Sequence, residues 1–187
     1  VVFSRGKRCG FFPSACAGWR ISDEPFFRTV GFINDLKLRA SVGLLGNDNV
    51  DPFQYIQNYN IQYGAIFNSQ TLGLEPGVLA NRDITWEKAL NYNAGFDAQF
   101  WDNRMNIKLD MFYRHTYDIL ADRELSVPST LGAELPDENY QQVDARGFEV
   151  EIGYNSPNKG SRNKINWYAR GNFGYAVTKI VQVGEPE

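Results

Sequence analysis

Seven charged residues recur at alternating positions in the C-terminal half of the chain, and their types could do chemistry. Paired carboxylates can act as general acid and base. The same mixture of acidic and basic side chains is expected where strands line a water-filled passage. The set consists of Asp97, Lys108, Asp110, Arg114, Glu149, Glu151 and Arg170. Because no nucleophile, base and orienting group accompany them, we interpret these residues as lumen-facing and predict no catalytic residue.

Two further positions could suggest a metal, and neither has a complete ligand pattern. His115 is the only histidine and falls on the apolar side of its stretch, which favours a surface or interfacial role. The run from Asn47 to Asp51 resembles a calcium loop, but it lacks the glycine and the distant glutamate of that motif. We therefore predict a turn there, and neither a metal site nor a cofactor.

The elements that must position the charged residues are long alternating stretches. Residues 84–101 and 104–120 each alternate apolar and polar side chains, and Asp102 and Asn103 separate them. A period of two is typical of β-strands, which in soluble proteins usually run for about 5 or 6 residues. A hairpin this long, with one apolar and one charged side, favours a transmembrane β-barrel.

A two-residue turn at Asp102 would fix the pairing of this hairpin, so that paired residue numbers sum to 205. That register places Asp97 opposite Lys108 and Tyr92 opposite Tyr113. It also sets Glu87 against Asp118, an unfavourable pair of like charges near the outer rim.

Shorter alternating stretches complete the sheet. We predict strands at residues 15–22, 36–44, 148–154 and 167–178, with a small hairpin formed around Tyr55, Tyr59, Tyr63 and Phe67. The long connections 47–83 and 122–144 then fall at one end and the shorter connections 23–35 and 156–164 at the other. Outer-membrane barrels show this asymmetry, with short periplasmic turns and long exterior loops. The predicted fold is all-β, with antiparallel up-and-down strands forming part of a large transmembrane β-barrel.

Composition agrees with a folded sheet protein. The chain has 187 residues, 14% aromatics and a net charge of −3, which does not suggest nucleic-acid binding. It has no run of apolar residues long enough for a membrane helix, and no signal peptide is recognisable at its start. We expect an internal piece of a longer protein, residues 1–187 being a partial barrel domain, with Cys9 and Cys16 unpaired.

The main alternative is a soluble extracellular β-sandwich that binds carbohydrate, in which the apolar side would pack on a second layer of protein. Strand length argues against it, because seventeen residues at about 3.3 Å each span roughly 55 Å.

Several motifs resemble those of SusC/RagA-type TonB-dependent outer-membrane receptors, and they occur in order along nearly the whole chain. Cys9 and Cys16 depart from the residues expected in that family. The motifs are GFFPS at 10–14, AGWRIS at 17–22, NDLKLRAS at 34–41, GNDN at 46–49, ITWEK at 84–88, YNAGFD at 92–97, WDNR at 101–104, FY at 112–113, YD at 117–118, VP at 127–128 and RGFE at 146–149.

The resemblance implies a 22-stranded barrel of the bacterial outer membrane in Bacteroidota, of which this chain supplies six or seven strands. It also implies import of large nutrients, either glycans or peptides, with a SusD-like surface lipoprotein and with TonB, which acts through a segment outside this chain. A siderophore or cobalamin receptor of the same architecture is the alternative. We expect the substrate to contact residues of the exterior loops, namely Tyr55, Tyr59, Tyr63, Asp137 and Tyr140.

Overall fold

The computed structural model describes residues 2–27, 30–66, 70–121, 134–156 and 167–183, without the side chains of 64–66, 70 and 71. Eight strands and one short 3-10 helix, Ile21–Asp23, lie in these ranges. The strands are β1 (Ser14–Arg20), β2 (Ile33–Asn47), β3 (Tyr59–Ile66), β4 (Gln70–Pro76), β5 (Glu87–Phe100), β6 (Met105–Ala121), β7 (Glu138–Asn155) and β8 (Tyr168–Gln182).

Six of these strands form one antiparallel sheet in the order β1-β2-β5-β6-β7-β8, and β3 pairs with β4 as a separate hairpin. Neighbours in the sheet are therefore neighbours in the chain, apart from the inserted hairpin. We call the end of the sheet that carries the turn at residues 101–104 the lower end. The segment 48–86, which includes the β3–β4 hairpin, lies at the upper end. The predicted up-and-down order is confirmed.

The pairing of β5 with β6 follows the predicted register. Asp97 lies opposite Lys108, Tyr92 opposite Tyr113 and Phe100 opposite Met105, so each pair sums to 205. The turn itself is longer than predicted, because β5 ends at Phe100 and β6 begins only at Met105. Its residues Trp101, Asp102 and Asn103 all have positive φ. Two additional unpaired residues leave the sum unchanged, which explains why the register was predictable although the turn length was not.

The predicted clash between Glu87 and Asp118 does not occur. The register of β6 against β7 shifts between Thr116 and Ile119, and Asp118 adopts a positive φ of 57°. The bulge brings the Asp118 carboxylate within 2.9 Å of the Lys88 ammonium. Glu87 instead accepts hydrogen bonds from the side chain of Asn47 at 2.7 Å and the backbone N–H of Leu120 at 3.2 Å. Asp118 is therefore ion-paired and Glu87 is hydrogen-bonded, and neither carboxylate faces the other.

The strand boundaries also differ from the prediction, most of all for β7. The expected strand at 148–154 extends to residues 138–155, so residues 138–144 of the expected loop belong to the strand. Residues 138–147 have polar side chains on both sides, which removed the alternation that would have identified them. Some positions used in the predictions lie outside the described residues: Phe67 of the small hairpin, Val127 and Pro128 of the family motifs, and nearly all of the connection 156–164.

Nothing in the described part of the chain covers the apolar side of the sheet. Ile152 and Phe173 remain 44% and 63% exposed, as expected for a surface that has no second protein layer. The described residues therefore contain no second layer of the kind that the β-sandwich alternative requires. Within the same ranges, no helix has the length and apolar character needed to span a bilayer.

A small core lies at the upper end instead. Ile84 and Phe3 are almost fully buried. The Trp86 ring packs on Phe3 and on Phe12, each at 5.3 Å between ring centroids, and its indole N–H donates to the Lys7 carbonyl at 3.0 Å. This core joins the segment before β1 to the segment before β5, a contact that the sequence did not predict.

Candidate functional site

Alternation places the charged residues on one side of the sheet, which we call the polar face. Residues paired in register on neighbouring strands share this side and form rows across the sheet. One row contains Lys37, Asp97, Lys108, Glu151 and Asn172. The next row on the same face contains Arg39, Gly95, Asp110, Glu149 and Gly174. Arg114 and Arg170 occupy further rows of this face. All seven residues predicted to face the lumen therefore share one side.

Arg39 is the centre of the strongest ion-pair group on the polar face. Its guanidinium lies 2.9 Å from an oxygen of Asp97 and 3.0 Å from an oxygen of Asp110. These three residues, from β2, β5 and β6, form what we call the inner ion-pair cluster. Arg39 was not among the predicted site residues. Its position between two carboxylates depends on strand order, which the alternation within one strand does not contain.

Lys108 has a carboxylate opposite it in register on each side, Asp97 of β5 and Glu151 of β7, and it forms its ion pair with Glu151. Its ammonium is 3.8 Å from Glu151, and the guanidinium of Arg170 is 3.6 Å from the same carboxylate oxygen. Asp97 pairs with Arg39 instead. Lys108, Asp110, Glu149 and Glu151 also line a polar hollow of about 290 Å³. This face presents mixed charge to an open space, as a water-filled passage would.

The arrangement offers weak support for acid–base catalysis. The carboxylates of Asp97 and Asp110 both form ion pairs with Arg39. Arg114 donates to the Asn91 side chain at 2.6 Å. Among the residues described, no group of His, Cys, Asp and Glu is arranged to hold a metal ion.

Asp137 joins two of the upper connections. Its carboxylate accepts a hydrogen bond from the Gln54 side chain at 3.3 Å, and its carbonyl accepts one from the Asn81 side chain at 2.7 Å. The backbone N–H of Leu79 donates to the Glu134 carbonyl at 2.9 Å. Asp137 therefore has a structural contact in addition to its predicted contact with substrate, and Tyr140 lies in β7 rather than in a loop.

The three predicted tyrosines lie in two different settings. Tyr55 is half-buried in the segment before β3. Tyr59 and Tyr63 are 63% and 65% exposed on the β3–β4 hairpin, on the same side as Ile61. Leu72 and Leu74 lie opposite in register, so one side of this hairpin is apolar and open. The predicted hairpin thus exists, although it begins after Tyr55.

The segment from Asn47 forms the predicted turn. The Asn47 side chain accepts a hydrogen bond from the backbone N–H of Asn49 at 3.1 Å.

Farther along the upper end, the Lys7 ammonium lies 2.8 Å from Asp83 and holds the pKa of that carboxyl below its ordinary value of 3.8. Cys9 and Cys16 are unpaired and exposed, as predicted.

His115 lies on the opposite side of the sheet, the apolar face, as its sequence position predicted. Its Nδ1 is 2.6 Å from a carboxylate oxygen of Asp144, and its ring stacks on Tyr117 at 5.6 Å. The other oxygen of Asp144 accepts a hydrogen bond from the Tyr113 hydroxyl at 3.0 Å. The histidine is thus engaged in a polar group near the upper border of an otherwise apolar surface.

Comparison with known proteins gives one consistent family. Residues 5–186 match the sequence model described as "TonB dependent receptor-like, beta-barrel". TonB-dependent receptor P39 of Formosa agariphila is 33% identical over 186 residues, which cover 99% of this chain and 17% of that protein. TonB-dependent receptor SusC of Bacteroides thetaiotaomicron is 32% identical over 154 residues, which cover 80% of this chain and 15% of that protein.

Solved structures agree on the fold. The RagAB peptide importer in its "open-open" state superposes with a TM-score of 0.82 at 23% identity, over 97% of this chain and 19% of that chain. A structure of the RagAB peptide transporter superposes with a TM-score of 0.81 at 24% identity. This chain spans less than a fifth of the length of these relatives.

These matches confirm the predicted SusC/RagA-type resemblance, the all-β partial-barrel fold and the outer-membrane location. The sheet order, the register and the two unlike faces are those of a barrel wall. The chain belongs to the TonB-dependent receptor β-barrel family.

Proposed function

We propose that this chain forms part of the barrel wall of a TonB-dependent importer of large nutrients, either glycans or peptides. The apolar face contacts outer-membrane lipid and the polar face lines the lumen. The remaining strands and a plug domain lie outside residues 1–187. A SusD-like surface lipoprotein captures substrate with the receptor, and TonB supplies energy through a segment that is also outside this chain.

One observation carries this proposal. A single sheet separates an uncovered apolar surface from a charged surface, and the separation holds in register over six strands. Hydrocarbon on one side and water on the other would stabilise both surfaces at once. An isolated six-stranded sheet would leave the backbone groups of β1 and β8 unpaired in lipid, so the wall requires the rest of the barrel.

The matches favour a nutrient importer of the SusC kind over a siderophore or cobalamin receptor. A SusC aligns with 80% of this chain at 32% identity. The neighbouring structures share the fold and are described as peptide importers, which supports a large substrate without selecting between peptide and glycan. The family match supports transport rather than catalysis, and the charged residues described on the polar face include no nucleophile with a base and an orienting group.

Uptake by living cells tests this proposal. We expect deletion of the gene for the full-length receptor to abolish import of one class of labelled glycan or peptide, and a protonophore to abolish it equally in the wild type. The complemented strain should recover import. Unchanged uptake of every glycan and peptide tested in the deletion strain would refute the proposed function.

A second comparison addresses the predicted substrate contacts. Replacing Tyr55, Tyr59 and Tyr63 by alanine together should lower uptake about tenfold or more, because stacking on aromatic rings contributes to ligand binding. Alanine at Asn60 and Gln62, which lie on the other side of the hairpin, is the matched control. Equal uptake by both variants would exclude these tyrosines from substrate binding.

A further inference from the structure

Aromatic side chains mark two borders on the apolar face. Phe100, Trp101, Tyr154 and Trp167 cluster at the lower end, with ring centroids about 5 to 6 Å apart within the pairs. Tyr92 and Tyr113 stack at 6.3 Å near the upper end. The rows of Met105 and Tyr113 are eight residues apart, which is roughly 26 Å along the strand and about 20 Å in height for a strand tilted by ~40°. This spacing is close to the ~25 Å apolar band of outer-membrane barrels.

Cations occur at and just above the upper border of this band. Arg146 is paired in register with Tyr113, and Lys179 lies opposite Asp144 in the next row up. Both therefore occupy the apolar face at the depth where hydrocarbon gives way to headgroups. Arg and Lys at this depth can keep their stems in the apolar region while the charged ends reach the interface.

The neighbouring carboxylate is already engaged. Asp144 is held by His115 at 2.6 Å and by the Tyr113 hydroxyl at 3.0 Å. Within the described ranges, neither Arg146 nor Lys179 has a carboxylate oxygen within 4.0 Å. Lys179 interacts with Asp144 only at longer range, so both oxygens of that carboxylate are engaged by other groups while Arg146 and Lys179, on adjacent strands, form no close ion pair among the described residues. Diagonal neighbours of this kind lie about 7–8 Å apart, and their long side chains can converge on one anion.

An apolar hollow leads away from the same border. A cavity of about 680 Å³ runs between Tyr92, Tyr113 and Met111 over a floor that includes Ala40 and Ala94. A second hollow of about 430 Å³ continues from these alanines towards Trp19 and Phe96. The two together extend over three rows, about 13 Å along the strands. Their upper end is bounded by Tyr113, whose register partner is Arg146.

We propose that this surface binds a phosphorylated lipid of the outer leaflet. The phosphate lies between Arg146 and Lys179, and an acyl chain follows the apolar hollow downwards from Tyr113. Charge-assisted hydrogen bonds from the two cations select the phosphate, and the hollow supplies contact with hydrocarbon. The inference rests on the proposed function, because it requires the apolar face to meet the membrane.

The test uses the purified full-length receptor in a non-ionic detergent and native mass spectrometry of bound lipid. The probes are dilauroyl phosphatidic acid, dilauroyl phosphatidylcholine and inorganic phosphate. We expect the wild type to bind phosphatidic acid about tenfold more tightly than phosphatidylcholine, and Arg146→Gln with Lys179→Gln to remove this preference. Lys37→Gln with Arg104→Gln removes the same charge from positions off the apolar face and should preserve it.

Each outcome decides the proposal. A double variant that binds phosphatidic acid as the wild type does would overturn it, while unchanged nutrient uptake would leave the proposed function standing. If the double variant does not assemble, the wild-type comparison of the two lipids decides, and equal binding of both refutes the site. Displacement of phosphatidic acid by equimolar inorganic phosphate would show a site for soluble anions and would overturn the assignment to a lipid.

Discussion

Lysine at position 173 should separate the two faces of the wall more sharply than any other single change. Phe173 lies on the apolar face in the row of Leu109 and Val150, and Asn172 precedes it on the polar face. We predict that Phe173→Lys strongly destabilises the full-length receptor in lipid and that Asn172→Lys does not. The two substitutions introduce the same charge, one residue apart, into the same strand.

The magnitude follows from the depth of the row. Leu109 is four residues from both Met105 and Tyr113, so the row of Phe173 lies midway between the two aromatic borders. A lysine on the lipid side of a barrel costs about 2–4 kcal/mol at the bilayer midplane. Loss of the ring contact between Phe173 and Phe148, whose centroids are 5.9 Å apart, adds about 0.5–1.5 kcal/mol. The expected total is roughly 3–5 kcal/mol.

The assay is equilibrium unfolding of the full-length receptor in phospholipid vesicles by urea, followed by its heat-modifiable gel mobility. Phe173→Leu serves as the control for the ring contact and should lose about 1 kcal/mol. We expect Asn172→Lys to change stability by less than about 1 kcal/mol, because it faces water. Equal costs for the two lysines would refute the assignment of faces, and a larger cost at position 172 would reverse it.

Three further changes test the polar face and the upper end. Arg39→Gln should lower stability by about 1 kcal/mol, measured by the same unfolding assay, because its ion pairs are partly exposed and the inner ion-pair cluster loses its only cation; no change would mean that the cluster contributes nothing. Gly95→Ala should lower stability by about 1–3 kcal/mol, because the new Cβ would lie 2.5 Å from a carbonyl oxygen of the facing strand. Gly174→Ala in the same row is the control: its Cβ would meet only ordinary contacts, and the loss of stability should be less than about 1 kcal/mol. Lys7 lowers the pKa of Asp83, so their ion pair stabilises the surrounding segment fully above pH 3.8, and this stabilisation is lost as the pH falls through the lowered pKa of the folded state. Hydrogen-exchange protection of this segment should therefore decline in acid, and Asp83→Asn should remove that decline.

Alternation within single strands made much of the fold predictable. The register of the central hairpin followed from a short turn and a period of two, and Tyr92 lies opposite Tyr113 as expected. The turn is two residues longer than predicted, and this difference did not change which residues of the two strands are paired. The strand β7 was underestimated, because polar side chains also occupy the apolar side of its upper half and remove the alternation there.

Contacts between distant segments were not predictable in the same way. The packing of Trp86 on Phe3 and Phe12 joins residues more than seventy positions apart, and nothing in either segment specifies the other. Arg39 was not among the predicted site residues, because its two carboxylate partners depend on which strands are neighbours. The bulge at Asp118 was also missed, since the pattern indicated like charges and contained no sign of the extra residue that separates them.

The division of the wall into a lipid side and a water side is tested most directly by spin labels placed one at a time at positions 105–113 of β6 in the full-length receptor, reconstituted in vesicles. We expect accessibility to oxygen, which concentrates in the bilayer, to peak at 107, 109 and 111, and accessibility to a water-soluble nickel chelate to peak at 106, 108 and 110. Chelate accessibility at both sets of positions, or oxygen accessibility without a period of two, would contradict the assignment of the two faces.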